Sequence, residues 1–272
     1  MFRFFVNPDQ IQGQSVTITG SDVNHMKNVL RMKPGEKVRI SSGQDVDYFC
    51  MITEIGDEEI CLQVYARETT SIELPAEITL FQGLPKGDKM ELVIQKAVEL
   101  GASRIVPVSM SRCIMKLDPK KAAARVKRWN GIAESAAKQS GRMIIPQVTM
   151  PMTYKQVLEV TGQMKYKLLP YENEEGMEGI RRTLRELAAD VRPAGRTGGV
   201  SGDDAALADG SHRRDHVPQI GILIGPEGGF EPAEVELAKE QGWQLISLGR
   251  RILRTETAGM AVLAMLVYEL EP

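Results

Sequence analysis

Over the first 72 residues, apolar and polar positions alternate with a period of two. Residues 15–19 (SVTIT), 37–42 (KVRISS), 46–55 (VDYFCMITEI) and 58–66 (EEICLQVYA) read as strands, with KPGE and EIGDEE as the turns between them. One helical stretch interrupts them, 21–31 (SDVNHMKNVLR), with Ser21 or Asp22 as its N-cap and Val23, Met26, Val29 and Leu30 on its apolar face. Short, closely spaced strands of this kind predict a small barrel over 1–72, because closure removes exposed strand edges. A linker, TTSIELP, follows.

From residue 73 to 272 the period switches between 2 and 3.6. Strands are predicted at 77–84, 104–110, 165–171, 220–225 and 243–249. Helices are predicted at 88–102, 118–141, 153–160, 179–190, 231–242 and 255–270. Gly101 reads as a C-cap, and Asp118 and Pro119 as the N-cap and first residue of the long helix. Strand and helix in alternation predict a mostly parallel sheet covered by helices on both faces, hence an α/β domain. The last helix, with Met260, Val262, Leu263, Met265 and Leu266, is apolar on most sides, which suits either a core or a subunit interface. Residues 192–219 lack any period and are rich in Gly, Asp, Ser and Arg. They read as a flexible surface insertion, and His212 and His216 within it as solvated side chains.

Composition changes this picture little. A hydrophobic fraction of 42% is ordinary for a globular chain, and no run is long enough to span a membrane. The start, MFRFFVNPDQ, lacks the apolar segment of a secretory signal, so a cytoplasmic setting is expected. Cys50, Cys61 and Cys113 form no close pair, and the three histidines are scattered, so no metal site is expected. Net charge is −2, yet 112–142 is locally basic. Such a patch suits phosphates, and the plainer alternative is a solvated helix face.

The candidate chemistry lies in two loops. IGILIGPEGGF (220–230) places glycines after a strand, as phosphate loops do, but Glu227 stands where an anion would sit. Gly225, Gly228 and Gly229 let backbone approach a flat ligand closely. SLGRRILRTETA (247–258) carries Arg250, Arg251 and Arg254, then Thr255 as an N-cap and Glu256 in the first helical turn. If both strands are parallel, both loops open at the same end of the sheet and share a pocket. No Walker lysine and no GxGxxG is present, which disfavours NTP and NAD.

Taken together, GPEGGFEPAEVELAKEQG, SLGRRILRTETA, QGLPKGDKMELVIQKAVELG, AKQSGR and HMKNVLRMKPGE resemble the RsmE-type members of the knotted SPOUT methyltransferases, over nearly the whole chain. Residues 192–219 depart from that pattern. The resemblance implies a PUA-like barrel for RNA followed by a SPOUT-type, trefoil-knotted α/β domain. It also implies S-adenosyl-L-methionine as cofactor, a homodimer, and methylation of N3 of a uridine in 16S rRNA of the small ribosomal subunit. Leu223, Gly225, Pro226, Glu227, Gly228, Gly229, Leu248, Gly249, Ile252 and Leu253 are then expected to hold the cofactor. Arg254 is expected to stabilise charge on the base, with Glu227 and Glu256 as candidate proton acceptors. Arg31, Lys33, Arg112, Lys116, Arg125, Arg128 and Arg142 are expected to contact RNA phosphates. His25 is expected to be structural. A methyltransferase acting on tRNA or on a ribose hydroxyl, and a non-catalytic RNA-binding protein, are the alternatives.

Overall fold

The computed structural model describes residues 1–43, 46–69, 72–174, 176–191 and 217–271. They fall into two compact units, Met1–Glu73 with Ala137–Ile145, and Leu74–Ala136 with Pro146–Pro272. The sequence boundary had left 137–145 wholly in the second domain. Most of the expected insertion, including His212 and His216, lies outside the described residues. Among the described residues no helix is long and apolar enough to cross a membrane.

The first unit is built on a six-stranded sheet. Its strands are β1 (Arg3–Phe5), β2 (Ile11–Gln12), β3 (Ser15–Thr19), β4 (Lys37–Ser41), β5 (Asp47–Ile55) and β6 (Glu59–Glu68). Their order is β1-β4-β5-β6-β3-β2, all antiparallel except the β1–β4 pair. The alternation seen in the sequence sends Val16, Ile18, Val38, Ile40, Cys50, Ile52, Ile60, Leu62 and Val64 into one core. Among the described residues no ladder joins β1 to β2, so hydrogen bonds do not complete the closed barrel expected from the sequence. β1 and β2 are its two edges, and at three and two residues they are too short to have stood out as periodic runs.

The helix between β3 and β4 also departs from expectation. Gly20, with φ of 77°, is its N-cap; Ser21 is already helical, in α1 (Ser21–Asn24). A π turn follows over His25–Val29, with Leu30 N–H donating to the His25 carbonyl. The wider turn rotates later residues off an ideal 3.6 register. Val23 and Met26 therefore stay in the core, Leu30 packs at its margin, and Val29 is left 62% exposed. Arg31 closes the turn with a positive φ of 54°. His25, at the start of the π turn, stands edge-on to Phe4, centroids 6.4 Å apart.

The second unit carries a parallel sheet. Its strands are β7 (Glu77–Gly83), β8 (Arg104–Ser109), β9 (Gln147–Val148), β10 (Met152–Thr153), β11 (Tyr166–Pro170), β12 (Gln219–Ile224) and β13 (Gln244–Ile246). The order is β10-β8-β7-β12-β11-β13, with the two-residue β9 also on β8. Consecutive residues of β7, β8, β11 and β12 are buried, as expected when both faces of a parallel sheet are covered. The helices are α2 (Lys89–Glu99), α3 (Pro119–Ser140), α4 (Tyr154–Val160), α5 (Glu178–Val191), α6 (Pro232–Glu240) and α7 (Thr255–Leu270). Local chemistry accounts for their ends. Asp118 Oδ1 accepts from Lys121 N–H at the start of α3, Thr153 and Gln156 form a capping box on α4, and Gly101 follows α2 with φ of 86°.

Candidate active site

β12 and β13 flank β11, and all three run parallel. Their C-terminal loops therefore open at one end of the sheet, where α/β proteins place ligands. They line an open cleft of about 1270 Å³. The first loop contributes Ile224 to Glu227, Gly229 and Phe230, and the second contributes Ser247 to Thr255. The third, after β11, was not singled out in the sequence; it adds Tyr171, Glu172, Glu174 and Met177. Its only sequence signal is that YENEEGMEG is polar and follows a strand. Lys89, from the start of α2, completes the wall.

Of the residues expected to hold the cofactor, Leu223 and Gly228 do not line this cleft. Leu223 is fully buried in the sheet, because side chains on a strand alternate and Ile224 is the residue that reaches the cleft. Gly228 faces Arg112 instead: a Cβ there would stand 3.0 Å from that of Arg112, whose Nη1 donates to the Gly228 carbonyl at 3.0 Å. Arg112 also pairs with Glu231 at 3.3 Å, so it braces the glycine loop.

Thr255 is not the N-cap of α7. Arg254 occupies that position, and Thr255 is the first helical residue, 7% exposed. The Thr255 hydroxyl donates to the Gly225 carbonyl at 2.6 Å and accepts from Gln82 Nε2 at 2.8 Å. Since the hydroxyl proton goes to Gly225, only an amide N–H of Gln82 can face the Thr255 oxygen, which fixes the orientation of the Gln82 side chain. β7, the first glycine loop and α7 are thereby tied through one buried relay. Gly83 is required beside it, since a Cβ would come within 2.6 Å of Pro226 N and 2.9 Å of Gly225 C.

The two candidate proton acceptors share a cation. Lys89 Nζ lies 3.0 Å from Glu227 Oε1 and 3.6 Å from Glu256 Oε2. Glu227 also accepts from Lys86 N–H at 3.0 Å. Burial pushes the Glu227 carboxyl up, but its own backbone N–H, Lys89 and Lys86 together outweigh this and hold it below the ordinary carboxylate range. The hydrogen bond that Lys89 donates to Glu227 likewise raises the Lys89 ammonium, against the opposing effect of burial. Glu256 does not line the cleft; its carboxylate sits behind Lys89, only 13% exposed. Arg254, by contrast, lines the cleft, is exposed, and its guanidinium has no hydrogen-bond or ion-pair partner among the described residues.

The expected phosphate contacts do not form one class. Arg31, Lys33 and Lys116 are exposed, Arg125 is half-buried, and Arg128 is exposed but paired with Glu91 at 2.8 Å. Arg142 is the clear correction. It is 5% exposed and bound to Glu73 at 2.5 Å, while its carbonyl accepts from Arg3 Nη1 at 2.7 Å. A guanidinium enclosed with its own carboxylate is structural, and its place in a basic run concealed that.

Comparison with known proteins supplies the context for this geometry. The family described as RNA methyltransferase domain matches residues 72–267, and the RNA methyltransferase PUA domain matches 18–65. The ribosomal RNA small subunit methyltransferase E of Bacillus subtilis (strain 168) is 34% identical, over 100% of this chain and 98% of its own length. The chain belongs to this methyltransferase family. Another member, from Synechocystis, is 30% identical over 99% of this chain and 78% of its own. Among solved structures, the Neisseria gonorrhoeae enzyme of the same name, bound to S-adenosyl methionine, is 31% identical. It superposes with a TM-score of 0.76 over 98% of this chain and 97% of its own. A Legionella pneumophila methyltransferase in complex with the same cofactor is 27% identical, with a TM-score of 0.77 over 98% and 97%. The methyltransferase match falls mostly in the second unit and the PUA match within the first.

Proposed function

We propose that this protein transfers a methyl group from S-adenosyl-L-methionine to N3 of a uridine in 16S rRNA of the small ribosomal subunit. The observation that carries this reading is the shared cleft. Two glycine loops from parallel strands open into one space, and an arginine without an anionic partner stands at its edge. The cofactor fits what is present. Backbone of Gly225, Gly229 and Gly249 reaches the cleft where a side chain would intrude, and φ values of 67° at Gly229 and 101° at Gly249 suit glycine. No phosphate has to sit beside Glu227, and Glu172 and Glu174, on the loop after β11 rather than the arginine-rich one, offer carboxylates toward which a sulfonium can turn. A cleft of about 1270 Å³ exceeds the roughly 300–1,000 Å³ typical of a small-molecule pocket, leaving space for an unstacked base.

When bound, S-adenosylmethionine supplies an electrophilic methyl group on a cationic sulfonium. The chain's contribution is to orient both reactants and to accommodate charge. Uridine N3 must lose a proton, and the negative charge then spreads to O2 and O4. Arg254, uncommitted to any carboxylate, is positioned to stabilise it. Glu227 and Glu256 are both tied to Lys89, so their first role is to fix the loops. A part as proton acceptor requires Lys89 to yield one of them. The cofactor loops are read as threading the trefoil knot of the SPOUT family. A homodimer is read as forming through the outer side of α7, where Tyr268 is 86% exposed on an otherwise apolar helix. A ribosomal substrate places the enzyme in the cytoplasm; neither a membrane nor a metal enters the scheme.

The test is transfer of labelled methyl to small subunits from cells lacking this protein, read by reverse transcription. N3 methylation blocks Watson–Crick pairing, so a new polymerase stop opposite one uridine is expected. Label without a stop moves the methyl to another atom or RNA; absence of label on any RNA ends the reading. Replacing Arg254 with Ala should lower turnover by about 10²–10³-fold, the typical loss when a charge-stabilising donor is removed.

A further inference from the structure

We infer that the outer face of the first unit's sheet, across β4, β5 and β6, is a stacking platform for unpaired RNA bases. This rests on the proposed reading of RNA as substrate, and goes beyond the phosphate contacts expected at Arg31 and Lys33. The face opposite the core carries Lys37 and Arg39 on β4, Phe49 and Met51 on β5, and Tyr65 on β6. Met51 is 40% and Tyr65 50% exposed. The chain contains only six Phe and six Tyr, so neighbouring aromatic rings on one open sheet face stand out.

Their geometry is that of a cation-flanked row. The Phe49 and Tyr65 rings lie 6.3 Å apart. Arg39 Cζ lies 4.6 Å from the Phe49 centroid, and Lys37 Nζ reaches 5.1 Å from the Tyr65 centroid from two strands away. A break in register puts Tyr65 there: Phe49 pairs with Ala66 and Cys50 with Val64, so Tyr65 is the extra residue of a β-bulge and turns to solvent. Cross-strand cation–ring pairs also stabilise sheets. That accounts for the pairing but not for the solvent left over Tyr65 and Met51.

Charge favours nucleic acid as the occupant. Arg39 is held by Glu68 at 3.1 Å and Asp47 at 3.5 Å, so its guanidinium is fixed against Phe49 as a flat surface. Lys37, on the same face, forms no ion pair among the described residues. It lies over the Tyr65 ring and is free to meet a phosphate. Aromatic rings and a guanidinium plane offer stacking surfaces to any base, and a free cation beside them can meet the backbone. A duplex keeps its bases stacked internally and cannot use such a surface.

The test uses the full-length protein and a fluorescent 12-nucleotide RNA, single-stranded or annealed into a duplex, followed by anisotropy. The Phe49→Leu/Tyr65→Leu double variant keeps apolar bulk but removes the rings. Its single-strand Kd should rise roughly 10- to 100-fold while cofactor affinity is unchanged. Lys37→Gln, which leaves the core untouched, should weaken binding and flatten the salt dependence by about 0.7. An unchanged Kd in both variants, or equal wild-type affinity for the duplex, overturns the inference. So does a change of oligomeric state at constant RNA affinity, which would make a second copy the occupant. A wild-type protein that prefers the single strand but transfers no methyl sinks the proposed reaction and leaves the platform standing. One that methylates, with the Leu variant showing the same KM for RNA, does the reverse.

Discussion

Replacing Thr255 with Val isolates the relay that joins the two cofactor loops. Valine matches threonine in shape, so no cavity opens and only the hydroxyl is lost. The buried Gly225 carbonyl then has no donor, which costs about 1–3 kcal/mol. Gln82 Nε2 loses its 2.8 Å acceptor but keeps the Gly83 carbonyl at 3.1 Å, adding about 0.5–1.5 kcal/mol. The expected total is therefore about 1.5–4.5 kcal/mol. Gly225 and Thr255 both line the cleft, so part of this should appear as weaker cofactor binding, tenfold for each 1.4 kcal/mol. Urea unfolding and equilibrium titration with S-adenosylmethionine measure the two shares. Thr255→Ser, which keeps the hydroxyl, should restore the affinity. If the Val variant matches wild type within about 0.5 kcal/mol in both measurements, the relay holds nothing together.

Other changes test the remaining features. Arg142→Met leaves Glu73 buried without its cation and should cost about 3–5 kcal/mol in urea unfolding, which a surface phosphate contact would not. Gly83→Ala forces backbone apart at Pro226 and should lower the melting temperature sharply, whereas Gly131→Ala, with open space around its Cβ position, should not. Burial raises the Cys50 thiol to about 12, so native protein should show no reaction of Cys50 with a thiol reagent at neutral pH until it unfolds. The depressed Glu227 carboxyl contributes stability that is complete above its ordinary value of 4.5 and lost as pH falls through its lower folded value. Protection of the 225–229 amides against exchange, taken relative to the intrinsic rate at each pH, should accordingly fall on the acid side only; a loss of protection beginning near neutrality would contradict the ion pair.

Much of the fold was legible because local and global preferences agree. The alternation in 37–42 and 46–55 and the continuous apolar run of 220–224 each admit one burial pattern, and the structure follows them. What was not legible depended on partners distant in sequence. Thr255 reads as an N-cap because threonine usually caps its own helix, and nothing nearby shows that its hydroxyl serves Gly225 and Gln82. Arg142 sits in a basic run, and only the return of 137–145 to the first unit gives it Glu73. The π turn at His25–Val29 has no periodic signature, so Val29 was assigned to the wrong face. For the candidate site, the glycine loops were visible as motifs. Lys89 was not, since its role arises only where α2 begins beside Glu227 and Glu256.

The position of β12 has a consequence for synthesis. β7 lies at the middle of its sheet and pairs along its length with β12, from Glu77 opposite Gln219 to Gln82 opposite Ile224. A nascent chain that has emerged only as far as Pro218 holds β7 and β8 with one central edge bare and the most apolar strand of the sheet still unmade. Pairings so remote in sequence form slowly, and an open apolar edge invites association meanwhile. Folding of the catalytic half therefore has to wait for nearly the last fifth of translation. A chaperone that shields strand edges should raise the yield of active enzyme more than it raises that of the first 73 residues.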